Sequence, residues 1–216
     1  MSKTVTAVVV NYQTSDLLAV AVTSFRSFYP GTALLIVDNG SADKSRETIE
    51  HLAMLAPHST EKLLLERNIY HGPAMDAALR MIETEFTFFF DSDTEMRRGG
   101  WLENMTGEFA DAENIYGVGQ IDRVNKRGFR SESGVPILLS PYMMLRTQIY
   151  FTLPPFEHHG MPTLKNFNAA RQRGYVLRNF PIASFIEHHG RGTASRFGYG
   201  LGFRGKMNYL LNKIGI

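Results

Sequence analysis

The segment Phe88-Phe89-Phe90-Asp91-Ser92-Asp93 places two aspartates directly after a run of aromatic residues. Carboxylates at the end of a buried strand can hold a hard divalent cation, and alternate residues let one reach the ion while the other holds a ribose or a water. Such an ion can bridge the phosphates of a nucleoside diphosphate as the bond to the sugar breaks. We therefore predict a Mn²⁺ or Mg²⁺ site at Asp91 and Asp93, with Ser92 beside the nucleotide. The alternative is a solvated turn.

Two further polar clusters follow predicted strands. Asp38-Asn39-Gly40-Ser41 offers a carboxylate that can accept hydrogen bonds from a ribose hydroxyl or a base N–H. Glu66-Arg67-Asn68, with Gly72 after it, can place a cation and an amide beside a nucleotide. Each cluster also has an ordinary interpretation, because the first is strongly turn-forming and the second fits a strand-to-helix loop.

A pair of histidines near the end of the sequence is a candidate metal ligand. Glu187-His188-His189-Gly190 follows a short apolar stretch, and a neutral imidazole suits a manganese ion that carboxylates already hold. His158-His159 is a rival pair. A zinc site made of four histidines is disfavoured, because a separation of about 30 residues fits no short zinc motif.

The first 96 residues alternate between strand and helix patterns. Val5–Val10 is a nearly continuous β-branched run, typical of a strand buried on both faces. We predict strands at Val5–Val10, Ala33–Val37, Lys62–Leu65 and Phe86–Phe90, and helices that begin at Thr14 or Ser15, at Lys44 and at Gly72-Pro73. This order indicates an α/β fold with a doubly wound, mostly parallel sheet, in which ligands bind beyond the carboxyl ends of the strands.

The second half is less regular and shows no clear domain boundary. We predict helices at Trp101–Phe109 and Lys165–Gly174, strands at Ile115–Ile121, Pro136–Arg146 and Tyr175–Leu177, and a turn at Asn125–Gly128. The whole chain, 1–216, is interpreted as a single domain with a nucleotide-sugar half (1–96), an acceptor half (97–190) and a flexible basic tail (191–216).

Composition excludes several classes of protein. The chain has no cysteine, which rules out disulfides and cysteine zinc sites. A net charge of +2 fits an anionic substrate but is too small to indicate nucleic acid by itself. No apolar run approaches the roughly 18 residues that span a bilayer, and the first strand is too short for a signal-peptide core. We expect a cytoplasmic protein, in which membrane contact would be peripheral, at the inner face.

Taken together, the motifs resemble family 2 glycosyltransferases of the GT-A fold. Five segments match in order and spacing over nearly the whole chain: Val8–Tyr12, Ile36–Asp43, Glu66–Asn68, Phe88–Thr94 and Ser140–Phe156. The resemblance implies a metal-dependent transfer of sugar from a nucleotide-sugar donor, with a UDP-sugar favoured, to a saccharide or lipid-linked glycan.

The resemblance also implies roles for individual residues. Asn11, Tyr12, Asp38 and Asn39 would lie at the nucleoside, with Asp38 at the base, and Arg67, Asn68 and Gly72 would line the donor pocket. Asp91 would contact ribose, Asp93 would bind the metal and His188 would be a third metal ligand. The basic tail would close over the diphosphate, with Arg191 or Arg196 near the phosphates.

One departure from the family concerns the general base. Inverting members usually carry a Glu-Asp pair about a dozen residues before the Gly-Tyr that matches Gly174-Tyr175, and its aspartate deprotonates the acceptor hydroxyl. Here Gly160–Lys165 contains no carboxylate. Three interpretations follow: Glu157 is the base, the enzyme is retaining and needs none, or catalysis is lost and only binding remains.

The sequence gives less support to nucleotidyl transfer and to nucleic-acid or membrane binding. A nucleotidyltransferase would need a Gly-rich loop with Arg or Lys after the first strand, and Asn11–Asp16 contains none. The stretches Arg123–Arg130 and Arg191–Lys206 mix cations with aromatic residues, as segments that bind nucleic acid or anionic membranes do. A solvated loop and a mobile lid are the favoured interpretation, and a modified nucleobase in DNA is a minor alternative acceptor.

Overall fold

The computed structural model describes residues 4–157 and 161–190. Its helices and strands follow one another along this part of the chain as β1 (Val5–Asn11), α1 (Ser15–Phe28), β2 (Ala33–Asp38), α2 (Ser45–Leu55), β3 (Thr60–Leu64), α3 (His71–Leu79), β4 (Phe86–Asp91), β5 (Thr94–Met96), α4 (Trp101–Glu108), β6 (Ile115–Val124), β7 (Val135–Arg146), α5 (Thr147–Tyr150), α6 (Leu164–Gln172), β8 (Val176–Asn179) and β9 (Ile186–His188). Short 3₁₀ turns occupy Phe109–Asp111 and Ile182–Ser184.

Seven strands form one mixed sheet in the order β3-β2-β1-β4-β7-β6-β8. The first four strands pair in parallel, as predicted, and β8 is parallel to β6. Strand β7 runs antiparallel to both β4 and β6. The predicted α/β fold with a mostly parallel sheet flanked by helices is therefore confirmed, and the antiparallel strand lies in the half where the pattern is less regular.

The central strands β1 and β4 are buried on both faces, which explains why their sequences are almost entirely apolar. Alternate residues of β4 point to opposite sides: Phe88 and Phe90 pack with Phe25 of α1 and with Trp101, whereas Phe89 packs on the side of α3 and α6. The Phe88 and Trp101 rings lie 4.3 Å apart. Apolar packing on both faces holds β4 in place up to Asp91.

A small second sheet consists of β5 and β9, which pair antiparallel. Thr94 lies opposite His188, Glu95 opposite Glu187 and Met96 opposite Ile186. Three-residue strands give almost no periodic signal, so neither was predicted. This pairing places β9, the last strand of the described chain, beside the residues that follow β4.

Parallel pairing brings the carboxyl ends of β1, β2 and β4 to one edge. Asn11 is the register partner of Asp38, and Val10 is the partner of Asp91. The predicted polar clusters therefore share one edge of the sheet. No helix in residues 4–157 and 161–190 is long and apolar enough to cross a membrane.

Candidate functional site

A chain of buried hydrogen bonds, hereafter the floor, lies at this edge of the sheet. The Asn11 amide donates to Asp38 Oδ1 (3.3 Å), and Asn11 Oδ1 accepts from the Thr14 hydroxyl (2.8 Å). The Ser92 hydroxyl lies 2.9 Å from Thr14 Oγ1. Because the single hydroxyl proton of Thr14 goes to Asn11, Ser92 is the donor in that second bond. The floor thus joins β1, β2 and the loop after β4.

A helix was predicted to begin at Thr14 or Ser15, and Thr14 lies at the capping position of α1. It is the residue before the helix, but its side chain makes no capping bond. The hydroxyl is instead used by Asn11 and Ser92. A buried Thr14, Asn11 and Ser92 can satisfy one another, and an unpaired hydroxyl at this depth would cost about 1–3 kcal/mol.

Asp38 is buried completely, and the loop after β2 surrounds its carboxylate. Oδ2 accepts the backbone N–H of Ser41 (3.1 Å) and lies 3.5 Å from Arg46 Nε, while Oδ1 faces Asn11. Gly40 has φ +75°, and a Cβ there would meet the backbone of Arg67 at 2.3 Å. The contacts of Asp38 and the glycine at position 40 therefore fix the conformation of the loop after β2.

Asn39 ties the loop after β2 to the loop before α3. Its side-chain oxygen accepts the N–H of Ile69 (2.9 Å), and its amide nitrogen donates to Asn68 Oδ1 (3.2 Å). Asn39 is only 3% exposed, whereas Arg67 and Asn68 are exposed above it. Tyr12 is partly exposed at the end of β1. Arg67, Asn68 and Tyr12 are thus the members of the predicted set that solvent can reach on this side.

Asp91, Asp93 and His188 form a cluster whose candidate ligand atoms all lie within 4.8 Å of one another. His188 Nε2 is 3.2 Å from Asp93 Oδ1. Two carboxylates with one imidazole suit Mn²⁺, and the same oxygens suit Mg²⁺. The donor set fits a divalent cation and leaves coordination positions free for a ligand.

The electrostatics of this cluster favour the binding of positive charge. Burial raises the pKa of Asp91, and Asp93 beside it adds to that effect, while His71 and His188 act in the opposite direction. The hydrogen bond to Asp93 raises the pKa of His188. Two close carboxylates in a poorly solvated site bind a proton more readily than isolated ones. A bound metal ion would neutralise the same negative charge.

His71 is a site residue that the sequence analysis missed. It begins α3, and its Nε2 lies 3.7 Å from Asp91 Oδ1, with 37% of the side chain exposed. The available signal was its position immediately before Gly72-Pro73, at the start of a helix that follows a strand. Tyr70, the preceding residue, has φ +72°.

Gly72 is a packing residue in this structure. A Cβ at Gly72 would lie 1.8 Å from the carbonyl oxygen of Glu157, so only glycine lets the loop approach α3. Tyr150 reinforces the contact, because its hydroxyl donates to Asp76 of α3 (2.7 Å) and accepts the N–H of Phe156 (3.1 Å). The backbone of Glu157 is thereby held next to the residue that follows His71.

The carboxylate of Glu157 is half exposed and pairs with Lys165 Nζ at 2.9 Å. The structure thus brings together most of the predicted residues, in two layers. Asn11, Asp38, Asn39, Gly72 and Ser92 are buried below, while buried Asp93 clusters with the partly exposed Asp91 and His188. Arg191, His158 and His159 lie outside the described residues.

Comparison with known proteins identifies related sequences and structures. The family model described as glycosyl transferase family 2 matches residues 6–172. A search of curated protein sequences found no match.

Solved structures share the fold at low sequence identity. The mannosyltransferase PcManGT from Pyrobaculum calidifontis, in complex with GDP-Man and Mn²⁺, superposes with a TM-score of 0.67, 18% identity and coverage of 82% of this chain. S. aureus TarS in complex with UDP-GlcNAc gives 0.61, 17% and 84%. This chain spans 54% of the former chain and 57% of the latter. These neighbours are GT-A glycosyltransferases, which confirms the predicted fold.

Proposed function

Because this chain belongs to the family 2 glycosyltransferases, we propose that it transfers a sugar from a nucleoside-diphosphate donor to an acceptor hydroxyl with the help of a divalent ion. The observation that carries the proposal is the cluster of Asp91, Asp93 and His188 at the carboxyl edge of the sheet. Ligands of open α/β sheets bind at this edge.

Asp91, Asp93 and His188 would hold Mn²⁺ or Mg²⁺, which supplies positive charge to the departing diphosphate. The similar structure of PcManGT contains Mn²⁺ with its nucleotide sugar, which supports the assignment. We also propose that Asp91, at the ion site, contacts the ribose of the donor.

The nucleoside would lie over the loops that follow β1, β2 and β3. Tyr12, Arg67 and Asn68 are its proposed direct contacts, because they are the exposed members of the set. Asn11, Asp38 and Asn39 would act from below, by holding the loops in the shape that the base and ribose require. We favour UDP, and the similar structures contain either GDP-Man or UDP-GlcNAc.

In the transfer step, the bond between the sugar C1 and the phosphate oxygen breaks, and its electron pair leaves with the diphosphate. The acceptor oxygen forms the new bond to C1, and its proton goes to the Glu157 carboxylate. Glu157 lies on the loop packed on Gly72, beside His71, and it must release Lys165 to accept that proton. A saccharide or lipid-linked glycan is the proposed acceptor.

Calorimetry with UDP and GDP, each with and without MnCl₂, tests the proposal. We expect binding of at least one of them to depend on the metal, and hydrolysis or transfer from the matching nucleotide sugar to release the diphosphate. Metal-independent binding or none would contradict the proposal. Metal-dependent binding without turnover over a broad acceptor panel would identify a binding module instead.

The role of Glu157 is tested separately. Glu157→Gln should lower kcat about 10²–10⁴-fold with little change in diphosphate affinity, because general-base catalysis contributes that much. Lys165→Met frees the carboxylate without removing it and should keep activity. Full activity of Glu157→Gln would favour the retaining mechanism, in which the leaving phosphate takes the proton.

A further inference from the structure

The two faces of the β5–β9 ladder carry different side chains with different contacts. In an antiparallel pair, directly opposite residues share a face and successive residues alternate. His188 and Thr94 lie on the face that meets Asp93, together with the buried pair Met96 and Ile186. Glu95 and Glu187 lie opposite each other on the other face.

Opposite carboxylates repel, so this pairing would be unfavourable without a counter-charge. Arg97 supplies it. Its guanidinium donates to Glu95 Oε1 at 2.6 Å and to Glu187 Oε2 at 2.9 and 2.6 Å. Arg97 therefore joins the residue on β5 to the residue on β9.

His189 closes the arrangement from the opposite side. Its Nε2 lies 3.1 Å from Glu95 Oε2, and its Nδ1 lies 3.5 Å from Glu187 Oε1. Its backbone N–H donates to the carbonyl of Asp93 at 3.0 Å. Glu95, Arg97, Glu187 and His189 thus form a closed ring of contacts, hereafter the ion ring, in which the Arg97–Glu187 and His189–Glu95 contacts cross between the β5 and β9 segments.

We propose that Arg97 is a positioning residue: through the ion ring it holds β9 in register with β5, and thereby holds His188 against Asp93 as a ligand for the ion. This proposal rests on the proposed function, because it assigns the ring to the same metal site. The backbone N–H of Arg97 adds to the effect by donating to the Phe185 carbonyl at 2.8 Å, just before β9.

The ring contains a second group of residues of metal-ligating type, Glu95, Glu187 and His189, with atoms within 4.8 Å of one another. The guanidinium of Arg97 already binds both carboxylates, and arginine keeps its charge in proteins. Arg97 therefore takes the place that a cation would have, and we assign the ring a supporting role.

The test measures the Mn²⁺ concentration that supports half-maximal binding of UDP, or of GDP if that is the diphosphate the wild type binds. Arg97→Met should raise this concentration about tenfold, the scale on which residues supporting metal ligands act. The direction of this change separates the two explanations, because loss of a nearby positive charge would by itself tighten cation binding and lower the Mn²⁺ concentration needed. Arg97→Lys should recover part of the loss, because it keeps the charge.

Arg130→Met is the matched control. It also removes one exposed arginine paired with a carboxylate, Asp122, but on the hairpin between β6 and β7 rather than on β5 or β9, and should leave the Mn²⁺ requirement unchanged. Exchange of the two charges in Arg97→Glu/Glu187→Arg should restore binding that Arg97→Glu alone weakens, which excludes a simple folding defect.

Three results would overturn the inference. Unchanged or tighter Mn²⁺ dependence in Arg97→Met would refute it while leaving the proposed function intact. A second Mn²⁺ bound per wild-type chain at Glu95, Glu187 and His189 would show that the ring is a metal site. Absence of metal-dependent binding in the wild type would refute the proposed function and this inference together.

Discussion

His188 Nε2 lies 3.2 Å from Asp93 Oδ1, although Asp93 follows β4 and His188 belongs to the last described strand. The β5–β9 ladder and the bond from the His189 N–H to the Asp93 carbonyl produce this approach. The proposed metal cluster is therefore completed by the last described strand, and its geometry depends on the position of that strand.

Replacement of His188 should weaken metal-dependent binding. His188→Asn removes the imidazole, and we expect at least about a tenfold rise in the Mn²⁺ concentration needed, because even residues that support metal ligands cost 10–100-fold. Asp93→Asn should cost more, since it removes a charged ligand. Calorimetric titration measures both, and His51→Asn, at an exposed position on α2, is the control. Unchanged binding in His188→Asn would remove it from the site.

The contribution of His188 and Asp91 to the stability of the metal-free protein should fall as pH rises from 5.5 to 8.5. The pKa values of His188 and Asp91 are both raised in the folded state, so the fold binds protons more tightly than the unfolded chain does. The contribution of His188 is fully present below its unfolded pKa, about 6.5, and is lost as pH rises through the folded value.

Thermal unfolding in chelator at pH 5.5 and pH 8.5 measures this effect. His188→Asn should be less stable than the wild type at the lower pH, by no more than about 1 kcal/mol for a partly exposed pair. That corresponds to about 2–4 °C in Tm. The difference should shrink at the higher pH. A difference that grows with pH would contradict the assigned direction.

Two glycines should respond oppositely to alanine. Gly72→Ala places a Cβ 1.8 Å from the Glu157 carbonyl oxygen, so we expect a loss of about 1–3 kcal/mol or more. Gly107 is exposed within α4, and a Cβ there meets nothing within 4 Å. Gly107→Ala should stabilise by about 0.5–1 kcal/mol. Urea unfolding measures both, and equal effects would disprove the close approach at Gly72.

The buried floor should be sensitive to loss of one hydroxyl. Thr14→Val removes the hydrogen bonds that Thr14 makes to Asn11 Oδ1 and to the Ser92 hydroxyl, which should destabilise by about 1–3 kcal/mol and weaken diphosphate binding. Thr23→Val, at an exposed position on the same helix, should have little effect. Equal stability of the two variants would mean that the floor bonds do not contribute.

The parallel core was predictable because local signals agree there. Val5–Val10 and Phe86–Phe90 are runs of strand length that are apolar except for Thr6 and Thr87, and Gly72-Pro73 marks the start of a helix. Such segments are buried on both faces, so their composition alone identifies them. The edge at which Asp38 and Asp91 meet then follows from the direction of parallel strands.

The remaining features depend on contacts between distant parts of the chain. Strands β5 and β9 have three residues each and become strands only by pairing, so neither has a local signature. His71 has a role only because α3 begins beside Asp91. Thr14 matches a helix cap in sequence, but its buried neighbours offer better partners.

Crystals soaked with MnCl₂ and UDP or GDP test the central claim most directly, through anomalous scattering from manganese. We predict one strong peak bounded by Asp91, Asp93 and His188, in contact with the diphosphate. A peak at Glu95, Glu187 and His189 instead, or diphosphate bound with no metal beside Asp93, would contradict the proposed site.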